Sequence, residues 1–120
     1  MAQATGIGGL FFRAADPAGL AAWYARHLGI DMSAGAWMQQ AGPTVLAPFP
    51  ADSGYFPPDR GWMLNFRVDD LDALCARLAA AGIAVTTDPA WNSAIGRFAR
   101  IHDPEGNPVE LSQPAGPALG

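Results

Sequence analysis

The sequence predicts an α+β domain in which two similar βαβββ modules form a cup-shaped mixed sheet. Three observations predict it: a self-repeat at an offset of 54 residues, a change of apolar period inside each copy, and a total length of 120 residues. That length is one domain's worth of chain, so 1–120 reads as a single domain. When Gly9–Arg26 is set above Met63–Ala80, seven of eighteen positions are identical: Leu10/Leu64, Phe12/Phe66, Arg13/Arg67, Asp16/Asp70, Leu20/Leu74, Ala22/Ala76 and Ala25/Ala79. Two copies of this size are too few for a solenoid, so they read as halves of one unit. Module one spans about 7–49, a Pro- and Asp-rich linker about 50–61, and module two about 62–113.

Each copy opens with a strand. In 62–68, Trp62, Leu64, Phe66 and Val68 alternate with Met63, Asn65 and Arg67, the period of two that splits a strand into two faces. The same pattern in 7–14 puts Leu10 and Phe12 on one face and Gly9, Phe11 and Arg13 on the other. Asp16 and Asp70 then stand where N-caps belong, and Pro17 suits a first helical position. Helical stripes follow: Leu20, Trp23, Tyr24 and Leu28 in the first copy, Leu71, Leu74, Cys75 and Leu78 in the second. Gly29 and Gly82 end the helices. Short strands are expected near 30–32, 36–40 and 44–47, and again at 83–86, 97–102 and 109–113, the last pair joined through the turn 103–107. The tail from Pro114 is rich in Pro, Gly and Ala and is expected to fray.

Composition removes several classes of function. Half of the residues are apolar and 15% are charged, which excludes a disordered chain. Cys75, the single cysteine, excludes an intramolecular disulfide and a multi-cysteine metal site, and its place on the second helical stripe makes it core. The net charge is −4, with nine Asp and two Glu against seven Arg and no Lys, the wrong balance for a nucleic-acid binder. No run approaches a membrane span, and Met1–Gly9 has no basic residue or long apolar run, unlike a secretory signal. The expectation is a cytoplasmic protein.

The helix of each module covers one face of its sheet. The opposite face carries Phe11, Arg13, Met63, Asn65 and Arg67, too apolar and too rich in arginine for ordinary solvent surface. It reads as the lining of a cleft. The 97–102/109–113 hairpin sets Arg100 opposite Glu110, and Trp37 and Gln39 share one face of their strand. Tyr55, Phe56, Trp62 and Trp91 stand at loop or strand ends, as a lid or an interface would. Ser33, Ser53 and Ser112 have no histidine placed to activate them.

With these residues in place, the chain resembles the vicinal oxygen chelate superfamily, which includes glyoxalase I, extradiol dioxygenases and bleomycin resistance proteins. The resemblance is carried by Gly9–Pro17, Trp23–Tyr24, His27–Gly29, Asn65–Leu74, Gly96–Phe98 and above all Asp103-Pro104-Glu105-Gly106-Asn107-Pro108-Val109-Glu110-Leu111. It implies paired modules around an open cup and a homodimer. It also implies four metal-ligand positions, which fall on Gly9, Val45, Met63 and Glu110. Gly and Val have no ligating side chain, and a thioether suits soft Cu(I). One carboxylate does not hold a catalytic divalent ion, which takes about three protein ligands. His27 belongs to the last turn of the first helix. His102 lies at the cup rim, and with Glu110 it still lacks a third partner.

The expectation is therefore a glyoxalase- or bleomycin-resistance-like protein that binds a small, largely apolar or aromatic ligand without a metal cofactor. Phe11, Arg13, Trp37, Gln39, Met63, Asn65, Arg67 and Arg100 are the expected ligand-binding residues, and Glu110 the catalytic or anchoring carboxylate. Two blander roles stand beside these: an Arg100–Glu110 ion pair, and pairing of Arg13 and Arg67 with Asp16 or Asp70. The alternative is a glyoxalase-, lyase- or dioxygenase-type enzyme in which Glu110 binds Ni, Zn, Mn or Fe.

Overall fold

Two aspartates start two helices. The structure, a computed structural model describing residues 2–115, contains α1 (Pro17–Leu28) and α2 (Leu71–Ala80). Asp16 Oδ1 accepts from the Gly19 N–H at 3.0 Å, and Asp70 Oδ1 from the Ala73 N–H at 3.1 Å. Each carboxylate thereby satisfies a donor that the first helical turn leaves free. Gly29 closes α1 in the left-handed region at φ 71°, with Arg26 and His27 in the last turn. Gly82, at φ 83°, turns the chain one residue beyond the Ala81 cap of α2.

The second half supplies the sheet. β1 (Leu64–Arg67), β2 (Gly96–His102) and β3 (Pro108–Pro114) lie in the order β1-β3-β2. β1 runs parallel to β3, with Asn65 beside Glu110, and β2 runs antiparallel to it, with Arg100 beside Glu110. The expected strand at 83–86 is reduced to one bridge, in which Thr86 and Arg100 exchange N–H···O bonds of 2.8 and 2.7 Å. The second half thus runs strand, helix, bridge, strand, strand.

The first half differs from expectation. None of 7–14, 30–32, 36–40 and 44–47 forms a regular strand, and 29–63 holds neither helix nor strand. A strand exists only through a ladder, and these segments have no pairing partner among the described residues. Gly8, Gly9, Gly35 and Pro43 weaken them further. Their apolar side chains stay outside: Phe11 is 90% exposed, Met38 88%, Val45 85% and Leu46 88%. Beyond Ala115, the rest of the expected frayed tail lies outside the described residues.

The core follows from alternation. Ala99, Ile101, Val109 and Leu111 point to one face and meet Leu20 and Tyr24 of α1 and Leu71 and Leu78 of α2. Trp23, Leu28, Leu74 and Cys75 pack around this cluster, as their helical stripes require. β3 is central, so its other face is covered too: Glu110 and Ser112 are each 9% exposed. Burying a carboxylate there requires hydrogen-bond partners.

The turn after β2 ties the halves together. Asp103, 5% exposed, accepts from the Tyr24 hydroxyl at 2.7 Å, from the Asn107 side chain at 2.8 Å, and from the N–H groups of Glu105 and Asn107. The Glu105 carboxylate accepts from the Ala15 and Asp16 N–H groups at 2.6 and 2.8 Å. Arg60 donates to the Glu105 carbonyl at 3.1 Å. Gly106 stands at φ 80°, a left-handed conformation that glycine adopts without strain.

Candidate functional site

The face of the sheet away from the helices presents Asn65 and Arg67 from β1, Phe98, Arg100 and His102 from β2, and Glu110 and Ser112 from β3. Glu110 is the one carboxylate these strands place there. Its Oε1 accepts from Asn65 Nδ2 at 2.7 Å and its Oε2 from the Tyr55 hydroxyl at 2.5 Å. Ser112 Oγ donates to Asn65 Oδ1 at 2.8 Å, which fixes the amide so that its NH2 faces Glu110. The result is a polar chain of Ser112, Asn65, Glu110 and Tyr55, in which donors meet acceptors at every link.

Arg100 stands across the ladder from Glu110, yet the expected ion pair is absent. Its guanidinium carbon lies 5.0 Å from the Tyr55 ring centre and 5.5 Å from that of Trp91, within cation–π range of both. One terminal nitrogen donates to the Tyr55 carbonyl at 3.0 Å. Among the described residues, Arg100 Nε is a buried donor with no hydrogen-bond partner. Aromatic rings and the Tyr55 carbonyl, rather than the opposite carboxylate, hold this cation.

The loop of 48–61 roofs the network. Phe49 lies 5.6 Å from Tyr55 and 5.6 Å from Phe56, and Tyr55 lies 6.2 Å from Trp91, ring centre to ring centre. Burial, aided by the bond to Glu110, pushes the Tyr55 hydroxyl up to about 12, so it donates at neutral pH. Burial, then the bond to Asp103, likewise raises Tyr24 well above the ordinary phenol range.

Of the residues expected to line the cleft, the structure brings together Asn65, Arg100 and Glu110. Arg67 shares their sheet face, but its guanidinium donates to the carbonyls of Gln40, at 2.9 Å, and Pro43, and it pairs with neither aspartate. Met63 is half-buried just before β1. Trp37 packs edge-on against Phe66 at 6.1 Å, on the side of β1 opposite Asn65. Gln39 and Phe11 are exposed. Arg13 lies beside a separate cavity of about 220 Å3, with Leu10, Phe12, Arg60, Trp62 and Leu64, and forms no ion pair with Asp16. For Phe11, Arg13, Trp37 and Gln39 the shared cause is the missing first-half ladder, which was to aim these side chains. Ser112 was legible as a site member, two residues beyond Glu110 on the same face. Tyr55 and Trp91 were legible only as aromatics at loop or strand ends, placed as a lid or an interface would be, with nothing in the sequence to aim them at Glu110 and Arg100.

The donor set does not fit the metal of the resembled superfamily. Both Glu110 oxygens are engaged by neutral donors, and the matched positions Gly9, Val45 and Met63 add no hard ligand. Among the described residues no three His, Cys, Asp or Glu side chains cluster.

Residues 9–112 match the family described as glyoxalase-like domain. The chain belongs to that family. The glyoxalase-like domain is similar to the crystal structure of TnmS3, an antibiotic binding protein from Streptomyces sp. CB03234, at 32% identity and TM-score 0.53, covering 84% of this chain and 88% of that one. A glyoxalase/bleomycin resistance protein from the same Streptomyces is similar at 33% identity and TM-score 0.51, covering 82% and 92%. The oxidase ChaP-H2 is similar at 26% identity and TM-score 0.51, covering 86% and 89%. "Putative glyoxylase CFP32" of Mycobacterium bovis is 44% identical over 54 residues, 45% of this chain and 21% of that protein. The match thus spans about a fifth of the length of the curated relatives. With these neighbours, the α+β architecture and mixed sheet are those of the glyoxalase/bleomycin resistance fold.

Proposed function

We propose that this glyoxalase-like domain binds a small, largely apolar or aromatic molecule over the sheet face of Asn65, Arg100 and Glu110, and that it does so without a catalytic divalent metal. The observation that carries the reading is the state of Glu110: a lone carboxylate on its face, with one oxygen on an amide and the other on a phenol, beneath the rings of Phe49, Tyr55, Phe56 and Trp91. An aromatic enclosure with few polar anchors is the usual make-up of a small-molecule site. The printed description of TnmS3 as an antibiotic binding protein supports the same class. Phe11, Arg13, Trp37, Gln39, Met63 and Arg67 enter this reading only if the first-half segments close over the sheet.

The test has two arms. Protein exposed to Ni, Zn, Mn and Fe(II) and then desalted is expected to hold less than about 0.1 equivalent of each, while calorimetry against planar aromatic compounds detects binding. Near one equivalent of metal, lost in Glu110→Ala, sinks the reading. It would favour instead an enzyme of glyoxalase, lyase or dioxygenase type using Glu110, to which the oxidase neighbour lends support.

The same proposal includes a homodimer in the cytoplasm. The exposed Phe11, Met38, Val45 and Leu46 are the apolar surface a second copy would cover. Light scattering that returns a monomer mass at about 100 μM, a concentration well above micromolar association, rules the dimer out; cell fractionation checks the location. Among the described residues, no helix is long and apolar enough to cross a membrane.

A further inference from the structure

We infer that Tyr55 occupies the cup as an internal stand-in for the ligand, and that the ligand is a phenol whose hydroxyl displaces that of Tyr55 on Glu110 while its ring takes the place of the Tyr55 ring beside Arg100. This rests on the reading of the cup as an aromatic-binding site and names the chemistry of its occupant.

Three observations point there. The Glu110 carboxylate is buried, with Oε1 on its amide donor and Oε2 on the Tyr55 hydroxyl at 2.5 Å, so loss of that hydroxyl leaves an acceptor position to fill. A neutral hydroxyl donor fits that place, an anion is repelled from it, and an apolar group leaves the carboxylate unpaired. The ring attached to that hydroxyl lies against a guanidinium, 5.0 Å away, which selects an aromatic carrier over an aliphatic alcohol. Finally, Tyr55 is not a sheet residue. It is held from a loop by its own hydroxyl, by its carbonyl on Arg100, and by the Ser53 hydroxyl on its N–H at 3.2 Å, so it leaves without breaking a ladder. Arg100 Nε, the buried donor without a partner, adds a requirement on the ligand: an acceptor oxygen near the hydroxyl gains a bond that Tyr55 does not make. The raised ionisation of Tyr55 agrees with its role as donor.

The experiment compares 2-naphthol with 2-methoxynaphthalene, which has the same ring but no hydroxyl proton. Both are titrated by calorimetry into the wild-type protein, Tyr55→Phe and Tyr55→Phe/Glu110→Gln, with far-UV circular dichroism and melting curves to verify folding. Tyr55→Phe removes the competing hydroxyl and is expected to tighten 2-naphthol about tenfold or more, the worth of one hydrogen bond to a charged group. The methoxy probe has no proton to donate, so it should bind Tyr55→Phe at least about tenfold more weakly than 2-naphthol does, although both rings gain from the loss of the Tyr55 hydroxyl. Glu110→Gln should narrow that difference. Equal affinities of Tyr55→Phe for the two probes, or a naphthol affinity that Tyr55→Phe leaves unchanged, overturn the inference while the aromatic cup stands. If neither probe binds any of the folded proteins, the aromatic cup itself falls and this inference with it.

Discussion

Replacing Asp103 by Ala should cost about 3–5 kcal/mol of stability, because that carboxylate organises the turn and locks α1 to it. Asp103 accepts four hydrogen bonds: the Tyr24 hydroxyl, the Asn107 amide, and the N–H groups of Glu105 and Asn107. Asp103→Ala strands the Tyr24 hydroxyl in a place where the residue is 7% exposed, a penalty of about 1–3 kcal/mol. The turn donors are less enclosed and recover water, so each loses a net of about 0.5–1.5 kcal/mol. Tyr24→Phe alone leaves Asp103 three donors and should cost about 1–2 kcal/mol. In Tyr24→Phe/Asp103→Ala no hydroxyl is stranded, so the double variant should be more stable than the sum of the singles predicts, by about 1–3 kcal/mol. Urea unfolding gives all three values by linear extrapolation, and hydrogen exchange should show protection lost first across α1. An Asp103→Ala cost below about 1 kcal/mol, the level of an ordinary surface change, refutes the argument. So does an additive double variant.

Two more outcomes are expected. Folded protein titrated at 295 nm should show neither of its two tyrosines ionising near the ordinary value of about 10; in Tyr24→Phe, the remaining Tyr55 should ionise near 12. Since the folded state holds the Tyr55 proton more tightly than the unfolded chain does, this contribution to stability is fully present below the unfolded value and is lost as pH rises through 12; a native tyrosine titrating near 10 contradicts the buried hydrogen bond of that residue. Leu78→Ala removes a side chain that is 0% exposed and should cost about 2–5 kcal/mol in urea unfolding; a loss under about 1 kcal/mol would mean that α2 is not packed on the sheet as described.

The parts of the fold legible in the sequence are those whose cause is local. Asp16 and Asp70 read as N-caps because a capping carboxylate bonds three residues ahead, and both do. Alternation in 97–102 and 109–113, joined by a turn, fixed the register that sets Arg100 beside Glu110. The strands expected in the first half do not form, since alternation shows which face a residue would take but not whether a partner strand exists. The repeat misleads in an instructive respect. Arg13 and Arg67 are equivalent by sequence, yet Arg67 donates to the Gln40 and Pro43 carbonyls while Arg13 borders a cavity. The groups each could meet lie in segments that the other half does not copy.

Glu110 illustrates where motif reading stops. Asp103, Glu105 and Gly106 build a turn whose reasons are steric and local, and the run into β3 then places Glu110 on the central strand four residues beyond Gly106. Its position is thus a consequence of the turn. Its chemistry is decided elsewhere, by Asn65 on a parallel neighbour and by Tyr55 from a loop without periodicity. An Arg directly across the ladder would ordinarily neutralise a buried carboxylate, but two aromatic rings hold Arg100, and its Nε has no hydrogen-bond partner among the described residues. The site therefore holds a carboxylate and a guanidinium side by side, each satisfied in part by the same tyrosine. Moving that one side chain frees a Glu110 acceptor and an Arg100 donor together, so Tyr55, a loop residue, rather than the motif carboxylate alone, sets how this polar network is satisfied.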